Sequence, residues 1–225
     1  MRLLRLAALA SACLVAAACS SPPSASPVPS TTPPPSLALR PACPTAAPAA
    51  LPVGSLTSVS LETTRGTIRI EVGTDDPIAA ASFVALVACG YYEGTVFHRI
   101  VPNFVVDGGD GQYGRSGFVD EAKVGTGGPG YTLPDETKAA AYPRGTVVLS
   151  RSGKPDSAGS RFFVVLDERA ASAIETSDLP FASVGIVSEG LDVLDAIAAM
   201  PNGGSPGNLP LTPVTIIATA IIAAP

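Results

Sequence analysis

The sequence predicts a mainly β domain covered by helices, and three observations carry that prediction. Period-two alternation of apolar and polar residues recurs from residue 59 to residue 222, Gly- and Pro-rich stretches separate the alternating segments, and only two stretches show helical spacing. The first alternating pair runs from Val59 to Thr64 and from Thr67 to Val72 around a turn at Arg65-Gly66. Ile68, Ile70 and Val72 fall on one face, so the pair reads as a hairpin. Asp75 or Asp76 is placed to cap a helix with Pro77 in its first turn, which continues through Phe83, Leu86 and Val87. Gly90 suits the positive φ beyond its end.

The central stretch is Tyr92 to Gly109, YEGTVFHRIVPNFVVDGG. In an extended chain Phe97, Arg99 and Val101 share one face and Val96, His98 and Ile100 the other, which leaves a single cation among apolar neighbours. Pro102-Asn103 bends the chain, Phe104-Val105-Val106 resumes a strand, and Gly108-Gly109 lets the backbone turn away. Further strands are expected over 145–150, 159–165 and, to close the domain, 213–222. A second helix is expected over 191–200, with Leu191, Leu194, Ile197 and Ala198 on one face.

The chain's beginning has a different character. Residues 1–18 carry Arg2 and Arg5, an apolar run too short to span a bilayer, and then small residues, which is the pattern of an export signal. Ala16-Ala17-Ala18-Cys19 resembles a bacterial lipobox, with Ala16 where Leu is more usual. The expectation is a lipid on Cys19 that anchors the protein to the outer face of the cytoplasmic membrane; plain cleavage after Ala18 is the alternative. Residues 19–55 hold eleven of the chain's 23 prolines and Arg40 as their only charge, so they are read as a disordered tether. About 170 residues, 56–225, then remain for one compact domain. With Cys13 in the signal and Cys19 acylated, Cys43 and Cys89 form an even pair in an oxidising compartment. A disulfide between them is expected, two unpaired thiols being the alternative.

Several function classes drop out. A net charge of −5 and the lack of a basic run after the signal argue against nucleic acid as a partner. His98 is the only histidine, which weighs against a His-rich metal site. Gly125, Gly127 and Gly130 fit G-x-G-x-x-G, but Pro129 interrupts the motif and no strand-to-helix frame surrounds it. Gly203 to Gly207 fits G-x-S-x-G, but Pro206 and the lack of a preceding strand deny it a nucleophile elbow.

The wording FHRIVPNF followed by GGD, then GGPGY with a DE pair, then RG and GSRFF, resembles the cyclophilin family of peptidyl-prolyl isomerases over roughly residues 57–222. The resemblance implies a closed, eight-stranded, antiparallel barrel capped by two helices, a monomer, and no cofactor. It also implies a function. Rotation about an X-Pro amide faces a barrier of about 18–20 kcal/mol because the bond is partly double. A fixed donor aimed at the prolyl nitrogen favours the twisted, deconjugated state over the planar one. By resemblance Arg99 supplies that donor, Phe104, Val105 and Phe163 hold the proline ring, Phe181 edges the pocket, and Ser150 and Arg151 border the substrate groove. The partners implied are proline-containing polypeptides, here exported or envelope proteins.

Three departures from the family's pattern stand beside that pocket. Asp107 and Arg161 each replace a usual Gln, and Arg151 stands where Asn is usual. Asp107 could hold Arg99 in place or divert its donors, and Arg161 could balance the added acid. An active isomerase is therefore expected, with a catalytically weak module that binds proline-containing segments as the alternative. With no Trp in the chain, weak binding of the family's cyclic-peptide inhibitor is expected.

Overall fold

The computed structural model describes residues 41–55, 57–136 and 139–222. The export signal, Cys19 and the tether up to Arg40 lie outside the described residues.

Strands β1 (Thr57–Thr63) and β2 (Gly66–Val72) form the expected hairpin. Thr63 Oγ1 accepts from the Arg65 N–H at 3.0 Å and donates to the Gly66 carbonyl at 2.7 Å, which ties the turn. Val59, Leu61, Ile68, Ile70 and Val72 point into the core while Glu62, Thr67, Arg69 and Glu71 stay exposed. Each such apolar side chain contributes about 1.5–3 kcal/mol by leaving water.

Helix α1 (Pro77–Ala88) follows, starting on its proline. Neither expected aspartate caps it. Asp76 stands at the N-cap position but makes no side-chain cap bond; its Oδ2 instead accepts from the Ser183 N–H at 2.7 Å. Glu136, far along the chain, takes the helix's free donors: its two carboxylate oxygens accept from Ile78 and Ala79 N–H at 2.9 and 2.8 Å. Beyond the helix Gly90 has φ +76°, and the Tyr91 N–H returns to the Leu86 carbonyl.

The other strands are β3 (Arg99–Val101), β4 (Val105–Gly108), the small hairpin of β5 (Gly114–Arg115) and β6 (Phe118–Val119), β7 (Thr146–Leu149), β8 (Phe162–Val165), β9 (Ser183–Glu189) and β10 (Ile216–Ile222). Helix α2 (Glu168–Glu175) separates β8 from β9, and α3 (Leu191–Ala198) follows β9. Eight strands form one antiparallel sheet in the order β10-β1-β2-β9-β7-β8-β4-β3.

This sheet is open, a half-barrel rather than the closed barrel expected, and three helices rather than two pack on the described domain. The edges β10 and β3 are linked only by the irregular segment before β3. Gly94 and Phe97 N–H donate to the Ile216 and Val214 carbonyls, and Val96 forms an isolated bridge with Thr215. That linkage also shortens two expected strands. The first begins only at Arg99, and the last begins at Ile216 rather than Pro213. Because residues 95–98 are not a regular strand, Phe97 does not share the face of Arg99. It is buried in the main core against Phe162, at 6.3 Å between ring centroids.

Two apolar clusters divide the interior. The larger lies within the half-barrel beneath α1 and α3; the smaller, of Val105, Tyr142, Val148, Phe163, Val165, Ala170 and Ile174, lies between the sheet and α2. Residues 41–55 have no helix or strand but are fixed to the domain at three points, one of them the Gly54 N–H on Thr74 Oγ1 at 3.4 Å. Cys43 is disulfide-bonded to Cys89 just past α1, and the Leu51 N–H donates to the Pro77 carbonyl at 3.0 Å.

Candidate active site

The site is built on the β3–β4 hairpin. Asn103, with φ +50°, makes the tight bend after Pro102, and the Phe104 N–H bonds the Val101 carbonyl at 3.1 Å. Register then does the positioning. Arg99 lies opposite Asp107, Asp107 opposite Phe163 on β8, and Phe163 opposite Val148 on β7. Residues paired across neighbouring strands point to the same face, so the cation, the acid and the aromatic ring converge. The chain must leave β4 sharply at Gly109, where φ is +84° and a Cβ would stand 2.5 Å from the Ser160 carbonyl oxygen.

Arg99, Phe104, Val105, Asp107, Ser150, Arg151, Arg161, Phe163 and Phe181 all line one groove of about 340 Å³. Phe163 and Phe181 meet edge to face at 6.1 Å. Helix α2, which the sequence pattern did not announce, closes the groove with Ala170, Ala173, Ile174 and Ser177. Its signal was present: Asp167 accepts from the Arg169 N–H as an N-cap, and Ala170 and Ile174 sit four apart on the buried face. A larger depression, of about 730 Å³, lies on the outer face of the sheet across β1, β2 and β9. Its charged lining includes an exposed Arg69–Glu189 pair, and no catalytic constellation converges there.

The charges of the groove are arranged in distinct ways. Arg99 Nη1 donates to Asp107 Oδ2 at 2.9 Å, a single contact that leaves the rest of the fork toward the groove. The Asp107 side chain is 13 % exposed, and burial lifts its pKa to about 6 although the Arg99 and Arg161 cations pull it down. Arg151 is spent on structure. Its side chain is 2 % exposed, its Nη1 bonds Asp135 Oδ1 at 2.6 Å and the Pro180 carbonyl at 2.9 Å, and its Nη2 bonds the Lys154 carbonyl. Arg161 Nε donates to the Gly127 carbonyl at 3.1 Å.

The glycine-rich loop around Gly125 and Gly127 does cradle an anion, but one of the chain's own. Asp110, fully buried, accepts from Gly125 and Gly127 N–H through Oδ2 and from Gln112 and Tyr113 N–H through Oδ1. Burial alone would raise its pKa; the four donors outweigh burial and hold it below the ordinary carboxylate value. His98, just before β3, is buried with its ring against the glycine-rich loop at Gly125. Burial lowers its pKa to about 4, so it is a neutral imidazole near neutrality and a weaker base than a free histidine. Among the described residues no group of three or more His, Cys, Asp or Glu is placed to hold a metal ion.

Comparison with known proteins agrees with this geometry. Residues 58–221 match the family model for cyclophilin type peptidyl-prolyl cis-trans isomerase/CLD. The chain is 37% identical over 170 residues to a peptidyl-prolyl cis-trans isomerase of Acinetobacter baylyi, covering 73% of this chain and 85% of that one. It is 32% identical over 178 residues to a peptidyl-prolyl cis-trans isomerase of Streptomyces antibioticus, covering 74% and 99%. Among solved structures, a cyclophilin type peptidyl-prolyl cis-trans isomerase of Cryptosporidium parvum superposes with a TM-score of 0.60 at 26% identity, covering 76% of this chain and all of that one. The same protein crystallised in the presence of the dipeptide ala-pro gives 0.59 at 25% identity, covering 74% and 99%. Half-barrel, groove and sequence match thus converge, and the chain belongs to the cyclophilin-type peptidyl-prolyl cis-trans isomerase family.

Proposed function

We propose that this isomerase acts on X-Pro bonds of exported or cell-envelope proteins, and that Arg99 weakens the conjugation of the prolyl amide. The observation that carries the reading is the single contact between Arg99 and Asp107. One donor anchors the guanidinium to Asp107, and Arg99 lines the same groove as Phe104, Val105 and Phe163, the wall on which a proline ring would sit. A planar, permanently charged fork held at one corner presents donors at fixed angles, which suits a nitrogen that becomes pyramidal only in the twisted state. The Arg151 backbone N–H, next to Ser150 at the groove, is the donor assigned to the swinging carbonyl. Proline-containing segments are the substrates, in keeping with the dipeptide used with the Cryptosporidium protein.

Export rests on the Arg2/Arg5 signal pattern and on Cys19 after three alanines, which we assign as a lipid anchor on the outer face of the membrane. A disulfide between Cys43 and Cys89 is consistent with an oxidising compartment. Since the chain is fixed to the domain at Cys43, any spacer between anchor and enzyme lies before that residue. One observation favours a second reading, a weakly active proline-binding module: Asp107 sits 2.9 Å from Arg99 and offsets part of its charge.

The test is exchange NMR on a short X-Pro peptide with the wild-type protein and Arg99→Ala. Catalysed exchange that collapses in the variant supports the isomerase mechanism; binding without catalysed exchange in the wild type supports the module.

A further inference from the structure

The charge in the groove does not cancel. Arg99 has Asp107 and Arg151 has Asp135, each within ion-pair distance, whereas Arg161 has no carboxylate within that distance among the described residues. Its only protein acceptor there is the Gly127 carbonyl, taken by Nε. The Gly127 N–H in turn binds the sealed carboxylate of Asp110, so the guanidinium is pinned to a loop that is itself clamped. Nη1 and Nη2 are left with four N–H donors and no partner among the described residues. Asp110 lies close enough to attract the cation, but its two oxygens are occupied by four backbone donors and shut away from the groove.

Position follows from strand geometry. Phe162 points into the main core against Phe83, Tyr92 and Phe97, so Arg161 and Phe163 flank it on the opposite face and both line the groove. Two residues along a strand amount to about 6.5–7 Å. A substrate whose proline rests on Phe163 would bring a side chain one or two residues away to Arg161, since each extended residue spans about 3.3–3.6 Å.

We propose that Arg161 is a specificity-determining residue that selects X-Pro segments carrying Asp or Glu at either of the two positions before the proline or at the one after it, binding the carboxylate through Nη1 and Nη2. The proposal rests on the groove being the peptide site. Two further facts support it. Burial lowers the Arg161 pKa despite the pull of Asp110 and Asp107, so the cation lacks full compensation in the free protein. And a planar guanidinium already fixed through Nε offers the paired geometry that carboxylates accept, with little side-chain freedom left to lose.

The experiment titrates the oxidised protein with end-blocked Ala-Ala-Pro-Ala and with its variants bearing Glu or Lys immediately before, two before, or immediately after the proline. Affinity and exchange are read from the same NMR samples at low and high salt. The Glu peptide that reaches Arg161 should bind about tenfold tighter than the Ala peptide, with the gain reduced by salt. In Arg161→Gln that ratio should fall toward one, in Arg161→Glu it should invert in favour of Lys, and in Arg161→Lys, which keeps charge without the fork, a smaller preference should survive. A Glu-to-Ala affinity ratio near one at all three positions in the wild type, or a ratio retained in Arg161→Gln, would overturn the proposal. Exchange bears on the other reading alone: no catalysed exchange with any peptide removes the isomerase mechanism, while the affinity ratios still decide the role of Arg161.

Discussion

Replacing Asp107 by Asn should stabilise the protein, and the gain should depend on pH in a defined window. Asp107 has an ordinary pKa of 3.8 unfolded and about 6 folded, with burial as the main cause and Arg99 as an incomplete remedy. At about 1.36 kcal/mol per pH unit, the rise from 3.8 to about 6 corresponds to about 3 kcal/mol of charge burial at neutral pH. Between those values the folded state holds the proton that the unfolded state has released. The group's contribution is therefore favourable at low pH and lost as pH rises through the window. The side-chain amide introduced by Asp107→Asn would accept from Arg99 without burying a charge, and Arg99, about a third exposed, keeps water around its cation. Urea unfolding of wild type and Asp107→Asn from about pH 3.5 to about pH 8 is the assay. The stability difference should be flat below about pH 4, grow by up to about 3 kcal/mol, and level off above about pH 6.5. Taking the difference matters because two other groups titrate nearby. Asp76, lifted to about 6 mainly by burial, acts with the same sign, while His98, lowered to about 4 by burial, acts with the opposite sign. A difference that does not vary with pH, or a variant less stable than wild type in mild alkali, would refute the claim that burial outweighs Arg99 at this site.

Two other perturbations test the frame that holds the groove. Asp110→Asn puts amide hydrogens among four backbone donors and should cost about 3 kcal/mol near neutral pH by urea unfolding. Because the folded pKa of Asp110 is depressed, the stability it provides is present above 3.8 and lost as pH falls through the folded value, so the cost should shrink in acid. Removing the disulfide with Cys43→Ser and Cys89→Ser opens a loop of 46 residues and should lower stability by about 2–4 kcal/mol, measured by thermal and urea melts; unchanged stability would mean that the bridge closes no entropy-rich loop.

The elements legible in the sequence were those in which one periodicity meets one buried face. The β1–β2 hairpin and α3 were readable because their apolar residues recur at two or at three to four positions and pack on a single core, and α1, apolar nearly all round, was readable from Pro77 at its start and Gly90 beyond its end. The gaps have physical causes. Open or closed is decided by a few bonds of residues 94–97 to 214–216, which leave no mark in the local pattern. The N-cap of α1 comes from Glu136, 58 residues from the amide it binds, so local capping preference pointed to the wrong carboxylate. Phe97 broke the alternation because a long-range aromatic cluster, not the strand, sets its direction. At the site, the residues named by resemblance do converge on one groove, but their partners were not visible. Arg151 turned inward to Asp135, Arg161 took a loop carbonyl, and α2, short and rich in small residues, supplied the remaining wall.

The central claim, that Arg99 promotes rotation about the X-Pro bond rather than merely holding peptide, is tested most directly by separating exchange from affinity in Arg99→Ala. Line-shape and exchange spectroscopy on one peptide give both in one titration. If Arg99 acts mainly on the twisted state, catalysed exchange should fall by about 100-fold or more while affinity changes by less than about tenfold. Equal losses in both, or exchange that survives in the variant, would contradict that role and leave the apolar groove to account for the catalysis.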